Sequence, residues 1–292
     1  MPASLEIVFR ALADSPEPVA ALLVGKDAAL GKVGKSLDKQ TDQQLSRSMS
    51  AAGFKAGAKS SLVLHAPNGS DLKRLVLVGA GDAAKATAQD WVVVGGHACG
   101  QLMSAKTETA SFIADVGAID AQAAADVAMG ALLRRYTFDI YKTSKTSDAE
   151  ANGDATTASA SLRQLVIHTD KPADAAEAFE ARKAVADGVC LARDLVNEPA
   201  NVLGPVEFAE RCKALEAVGV EVEILEVAEI EELKMGALLA VAQGSARPAR
   251  VAVMQWHGAK SKRTKPLCFI GKGVCFDTGG ISMKPAAGME DM

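Results

Sequence analysis

The sequence predicts an α/β protein with two domains, and three observations lead to this prediction. Its length of 292 residues is about twice that of a common single domain. Short aliphatic runs, such as residues 75–78 (LVLV), are typical of strands that are buried on both faces of a sheet. These runs alternate with helix-like stretches, so we expect a mixed or parallel sheet that is covered by helices.

The order of these runs predicts three parts of the chain. We expect a small mixed-sheet α/β domain over residues 1–170, a linking helix over 171–196, and the first part of a second α/β domain over 197–292. Strands of the first domain are predicted at residues 5–9, 20–24, 62–65, 75–78, 111–114 and 165–168, and its helices near 42–50, 84–104 and 121–133. The polar stretch 142–161 predicts an exposed loop.

The linking helix is predicted from apolar residues that recur every three to four positions over 174–196. It must end at the segment NEPANVLGP (197–205), because prolines and a glycine interrupt a helix there. Beyond it we predict helices at 206–217 and 228–235, and strands at 220–225, 251–256 and 267–270.

Composition and charge argue against several classes of protein, although a local basic patch for a nucleic-acid partner stays open. The formal net charge is −4, which speaks against a nucleic-acid partner, since phosphate binding requires clustered lysine and arginine. The five cysteines are scattered and form no CxxC pair, which indicates reduced thiols in a cytoplasmic protein. Neither a signal peptide nor an apolar run long enough to span a membrane is predicted.

Residues 271–284 (GKGVCFDTGGISMK) are the strongest candidate for a functional site. Lys272 follows a predicted strand and precedes Asp277 by five residues, and Lys284 adds a second cation. A simple ion pair between a lysine and the aspartate is one explanation. The surrounding glycines and hydroxyl groups favour a binding site, because glycines let the backbone approach a ligand closely. The segment does not match the phosphate-binding pattern GxxxxGK[ST].

The strings GKGVCFDTGGISMKPAAGM and NEPANVLGP resemble two signature segments of the M17 leucyl aminopeptidases, also called cytosol aminopeptidases. The resemblance covers residues 189–292 and is compatible with the rest of the chain. It implies a metal-dependent hydrolase that removes N-terminal amino acids, leucine above all, from peptides. It also implies a cytoplasmic homo-hexamer.

The same resemblance implies a role for each of three residues. Lys272 would be a metal ligand through its neutral amine, and Asp277 would be a carboxylate that bridges two divalent ions, manganese or zinc. Lys284 would be the catalytic residue that faces the substrate carbonyl and offsets the negative charge that develops on its oxygen. The family's remaining metal ligands and a catalytic arginine follow further downstream, so we expect this chain alone to be inactive.

Two other classes of function stay open from the sequence. The turn Gly79-Ala80-Gly81 after a strand fits the dinucleotide pattern GxGxxA, although a tight strand-to-helix turn explains it better. A non-catalytic regulatory module is the second alternative. The four histidines are isolated, so we expect packing or surface roles for them. Cys275 is interpreted as a packing residue and the basic run 260–265 as a solvated loop, with an anion contact as the alternative.

Overall fold

The computed structural model describes residues 5–117, 119–142, 162–261 and 264–287. The chain divides into two compact units, Met1–Ala192 and Arg193–Met292. The division falls inside a single long helix, Pro172–Asn197, at the place where the sequence predicts a linking helix. Apart from Lys142, the predicted loop 142–161 lies outside the described residues, and the boundaries at 170 and 196 stay predictions.

The first unit is built on a six-stranded mixed sheet, which confirms the predicted fold class. Its strands are β1 (Glu6–Ala11), β2 (Val19–Val24), β3 (Ser61–His65), β4 (Arg74–Gly79), β5 (Thr109–Ile113) and β6 (Gln164–Thr169). Their spatial order is β1-β6-β5-β2-β4-β3. All neighbours are parallel except β3 and β4, which pair antiparallel at one edge. All six strands confirm the sequence prediction within two residues at each end.

Helices cover both faces of this sheet. They are α1 (Lys32–Gln40), α2 (Gln44–Ala51), α3 (Ala88–Met103), α4 (Ala121–Arg135) and α5 (Pro172–Asn197). Strand β2 is buried along its whole length, and alternate residues feed two cores. Leu22 belongs to a core with Leu45 of α2, whereas Leu23 belongs to a core with Trp91 of α3 and Phe179 of α5.

Helix α1 is absent from the sequence prediction, and the structure shows why. Its first turn is capped by a residue that is remote in sequence: the buried carboxylate of Asp115 accepts hydrogen bonds from the backbone N–H groups of Lys32 (3.0 Å) and Gly34 (2.8 Å). In most helices the capping side chain belongs to the residue directly before the first helical residue, and that position is what a sequence reveals. Gly31 stands there and supplies no side-chain cap.

Helices α3 and α4 touch through their backbones. A Cβ atom at Gly95 would lie 2.0 Å from the carbonyl oxygen of Val127, and one at Gly130 would lie 1.9 Å from that of Val92. Because no side chain fits at either position, the two glycines set the separation of the helices.

The second unit contains helices α6 (Pro205–Lys213), α7 (Val227–Glu232) and α8 (Gly236–Ala242) and strands β7 (Glu221–Leu225) and β8 (Val251–Gln255). The two strands pair antiparallel, with Glu223 opposite Val253, and both confirm the prediction. The predicted helix 206–217 is α-helical to Lys213 and continues as a 3₁₀ turn, Ala214–Val218. It ends at Gly219, whose φ of 90° is left-handed. The predicted helix 228–235 ends early, at Glu232, and α8 was missed.

The predicted strand at 267–270 is wrong. The structure gives these residues no regular secondary structure, and Leu267, Phe269 and Ile270 are 87%, 91% and 95% exposed. A strand needs a neighbouring strand for its hydrogen bonds, and within the described part of the chain none pairs with this segment. Among the described helices, none is both long and apolar enough to cross a membrane.

Candidate functional site

The segment 271–287 folds as a series of turns that bring Asp277 and Lys284 together. The Nζ atom of Lys284 lies 3.0 Å from Oδ2 of Asp277, and the backbone N–H of Gly279 donates to Oδ1 over 2.8 Å. The backbone N–H of Lys284 donates to the carbonyl of Thr278 over 2.8 Å, which closes the loop between them. The carboxylate is therefore held at both oxygens.

Gly279 makes this turn possible. Its φ is 88°, and a Cβ atom on it would lie 2.4 Å from the carbonyl oxygen of Ser282. Gly280 follows with a φ of 65°. Two consecutive left-handed residues suit glycine, and they return the chain so that Lys284 faces Asp277.

The surroundings of Asp277 favour its charged form. The hydrogen bond from the Gly279 backbone lowers the pKa of this carboxyl group most, followed by the hydrogen bond and charge of Lys284, with a smaller contribution from the charge of Lys272. The carboxylate is 52% exposed and so remains open to solvent.

The structure thus places the three predicted site residues in one segment but pairs only two of them. Asp277 forms its ion pair with Lys284, whereas Lys272 acts on it from a greater distance. The Lys272 side chain is exposed, and its carbonyl accepts a hydrogen bond from the N–H of Val274 over 3.1 Å.

Sequence reasoning missed the residues of α6 that lie against this segment. A Cβ atom on Gly273 would lie 2.9 Å from Cε1 of Phe208, so the glycine sits directly on the aromatic ring. Cys275 is half-buried, and burial raises the pKa of its thiol, with a further contribution from the nearby charge of Glu207. Its predicted packing role is consistent with this position. No local pattern connects residue 208 to residue 273, and only the folded chain reveals the contact.

The start of α6 is fixed by an arginine from before β8. The Arg247 guanidinium donates to Oε2 of Glu207 over 3.1 Å and to the carbonyl of Asn201 over 2.9 Å. The same Glu207 oxygen accepts the N–H of Gly204 over 3.0 Å. A Cβ atom at Gly204 would lie 2.2 Å from Nη1 of Arg247, so the glycine makes room for the guanidinium. The NEPANVLGP segment is thereby tied to the helix that follows it.

The donors of this segment fit a divalent ion in kind but not in number. A carboxylate is an ordinary ligand for zinc or manganese, and a lysine amine can bind such an ion once it has lost its proton, yet each ion needs four or more ligands. Within the ranges that the structure describes, no cluster of three or more His, Cys, Asp or Glu side chains could hold a metal. Lys272 and Asp277 alone do not complete a site for one ion, and still less for two.

Gly79, the last residue of β4, and Gly81 pack closely against another part of the chain. A Cβ atom at Gly79 would lie 2.2 Å from the carbonyl oxygen of Gly57, and the N–H of Gly81 donates to the carbonyl of Ala56 over 2.9 Å. Helix α3 begins only at Ala88. The two glycines thus pack against residues 56–60, and α3 does not directly follow them as the helix of a dinucleotide site would.

The described histidines have the packing or surface surroundings that their isolation predicts. His168 is buried, and its ring nitrogens lie 3.0 Å from Oγ of Ser111 and 3.3 Å from the carbonyl of Ala11. Burial lowers the pKa of His168. His257 is exposed and pairs with Glu221 over 2.9 Å.

Two family models match the chain. The N-terminal domain of the cytosol aminopeptidase family matches residues 21–145, and the catalytic domain of the same family matches residues 190–292. A "probable cytosol aminopeptidase" of Rhizobium leguminosarum is 48% identical over 293 residues, which cover the whole of this chain and 57% of the relative. One of Rhizobium rhizogenes is 53% identical over 82% of this chain and 47% of its own length. The chain spans about half the length of these curated relatives.

A solved structure has a similar fold. The bottromycin maturation enzyme BotP, solved in complex with Mn, has a TM-score of 0.66 at 26% identity, over 92% of this chain and 51% of its own. The matches thus cover both units of the chain.

Proposed function

Because the chain belongs to the cytosol aminopeptidase family, we propose that it carries the first part of a metal-dependent aminopeptidase site. The observation that carries this proposal is the turn that holds Asp277 and Lys284 together. It presents a charged carboxylate, 52% exposed, beside an ammonium group that is 35% exposed. Both groups can therefore reach a ligand from solvent.

We assign the three residues as follows. Lys272 and Asp277 supply two of the ligands for a pair of divalent ions, manganese or zinc, and the remaining ligands lie outside the described residues. A divalent ion at such a site would acidify a bound water and polarise the substrate carbonyl. Lys284 binds the carbonyl oxygen and stabilises the charge that develops there. The manganese complex of BotP, a structural relative, supports the choice of metal for this fold.

The substrates are proposed to be peptides with a free N-terminus, with leucine preferred. By the same family membership, the assembled enzyme is proposed to be a homo-hexamer in the cytoplasm. Since no cluster of three or more His, Cys, Asp or Glu side chains among the described residues could hold a metal, we expect these 292 residues alone to release no product from leucine 4-nitroanilide with Mn²⁺ or Zn²⁺.

A chimera tests the proposal directly. Residues 190–292 would replace the matching part of the Rhizobium leguminosarum relative, and hydrolysis of leucine 4-nitroanilide would be measured with Mn²⁺. We expect the chimera to hydrolyse this substrate. In Lys284→Met its turnover should fall by roughly 10²-fold or more, which is the usual effect of losing one donor that stabilises the developing charge. Asp277→Asn and Lys272→Ala should lower both turnover and the manganese content of the protein.

The matched control is Lys260→Met, which removes an exposed lysine from the loop after β8. It should leave turnover unchanged. Full activity in Lys284→Met, or full manganese content after loss of both Lys272 and Asp277, would show that the assigned roles are wrong.

A further inference from the structure

The backbone that carries Lys272 packs against helix α6 next to this lysine. Gly271 and Gly273 flank this lysine, and their surroundings differ. A Cβ atom at Gly273 would lie 2.9 Å from Cε1 and 3.3 Å from Cδ1 of Phe208, whereas one at Gly271 would have no atom within 4 Å. Gly273 is therefore the anchored residue of the two.

Cys275, two residues further along, provides a thiol that reports on this segment. Cys275 is half-buried between exposed neighbours, Val274 and Phe276, which are 54% and 51% exposed. Its Sγ atom lies 3.9 Å from the carbonyl oxygen of Gly273. A displacement of Gly273 from the Phe208 ring should therefore change the accessibility of Cys275.

This part of α6 is itself held in place. Glu207 is joined to Arg247 at 3.1 Å, and the N–H of Phe208 donates to the Gly204 carbonyl over 2.9 Å. The position of the Phe208 ring is therefore fixed by α6. Residues 271–277, which have no regular secondary structure, can be held in place by packing against it.

We infer that Phe208 is a positioning residue for the site, because its ring seats Gly273 and thereby fixes the backbone between Lys272 and Asp277. This inference rests on the proposed aminopeptidase function. Five residue steps separate the two donors, and an extended chain of that length spans up to ~17 Å. Two ligands of one ion must lie within a few ångströms of each other, so the intervening backbone needs an anchor.

Alkylation of Cys275 tests the contact in the 292-residue chain. Iodoacetamide would be added under native conditions, and mass spectrometry of the tryptic peptides would give the rate at Cys275 relative to the exposed Cys268. Gly273→Ala should raise this ratio about fivefold by displacing the segment from the ring. Phe208→Ala should raise it similarly, because the support is removed.

Three variants separate a specific contact from general damage. Gly271→Ala, where space is open, should leave the ratio unchanged. Phe208→Tyr keeps the ring and should preserve the wild-type ratio. Leucine at position 208 lacks the Cε1 atom that a methyl group at position 273 would meet. The double variant Phe208→Leu, Gly273→Ala should therefore regain most of the protection of Cys275 that Gly273→Ala alone loses.

An equal ratio in Gly273→Ala and Gly271→Ala would overturn the inference, as would a Phe208→Tyr variant as reactive as Phe208→Ala. Neither measurement depends on turnover. A failed chimera assay with an intact alkylation pattern would instead count against the proposed function and leave the contact between Phe208 and Gly273 established.

Discussion

Replacing Gly130 with alanine should destabilise the first unit, because the new methyl group has no space. It would lie 1.9 Å from the carbonyl oxygen of Val92, whereas ordinary contact begins at 3.4 Å, so α3 and α4 would have to move apart at this point by the difference, about 1.5 Å. Overpacking against a backbone atom costs about 3 kcal/mol, the upper end of the usual range. The higher helix propensity of alanine offsets about 1 kcal/mol of this, so the free energy of unfolding should decrease by about 2 kcal/mol.

Trp91 provides the assay. It is 4% exposed on α3, whereas the second tryptophan of the chain, Trp256, is 70% exposed. In a Trp256→Phe background, fluorescence therefore reports on the first unit. For a unit of this size we expect Gly130→Ala to lower the midpoint of thermal unfolding by about 4–8 °C.

Gly188→Ala is the matched control in the helix α5. This glycine is exposed, and a Cβ atom there would have no neighbour within 4 Å. The substitution should stabilise the unit by up to about 1 kcal/mol. If Gly130→Ala melted at the wild-type temperature or above, the backbone contact between the helices would be refuted.

Three further predictions concern buried polar groups. Burial lowers the pKa of His168, so the unfolded state binds a proton more readily than the folded state. The free energy of unfolding should therefore decrease as the pH falls below about 6.5. In His168→Asn, the free energy of unfolding measured with urea should depend less on pH in this range. Burial raises the pKa of Cys99 to about 11, so native Cys99 should resist iodoacetamide at pH 8 while Cys268 reacts, and equal rates would contradict its burial. Asp115→Ala removes two hydrogen bonds at the start of α1 and should cost about 2 kcal/mol in urea unfolding, against no more than about 0.5 kcal/mol for the exposed Asp71→Ala.

The sequence predicts those parts of the fold whose signal is local. Strands β2 and β4 are continuous aliphatic runs, and such runs are typical of strands that are buried on both faces of a sheet. Helix α1 escaped prediction because its cap, Asp115, comes from beyond β5. The segment 267–270 has the composition of a strand, but composition cannot supply the neighbouring strand that hydrogen bonding requires.

The candidate site shows the same limit. Its glycines, lysines and aspartate stand together in the sequence, which is why residues 271–284 could be singled out. The partner of Asp277 could not be chosen from spacing: Lys272 is nearer in sequence, yet the left-handed turn at Gly279 brings Lys284 to it. The supporting residues Phe208 and Arg247 are separated from the segment by tens of positions, so no local pattern identifies them.

The ion pair between Asp277 and Lys284 also means that the carboxylate already carries its own counter-ion. Any positively charged ligand that approaches Oδ2 of Asp277 would compete for its charge with the Lys284 ammonium, which lies 3.0 Å away. The affinity for such a ligand is then set by how much more strongly the carboxylate attracts the ligand than it attracts the Lys284 ammonium. A cation at this carboxylate and the Lys284 ammonium are therefore competitors for one negative charge.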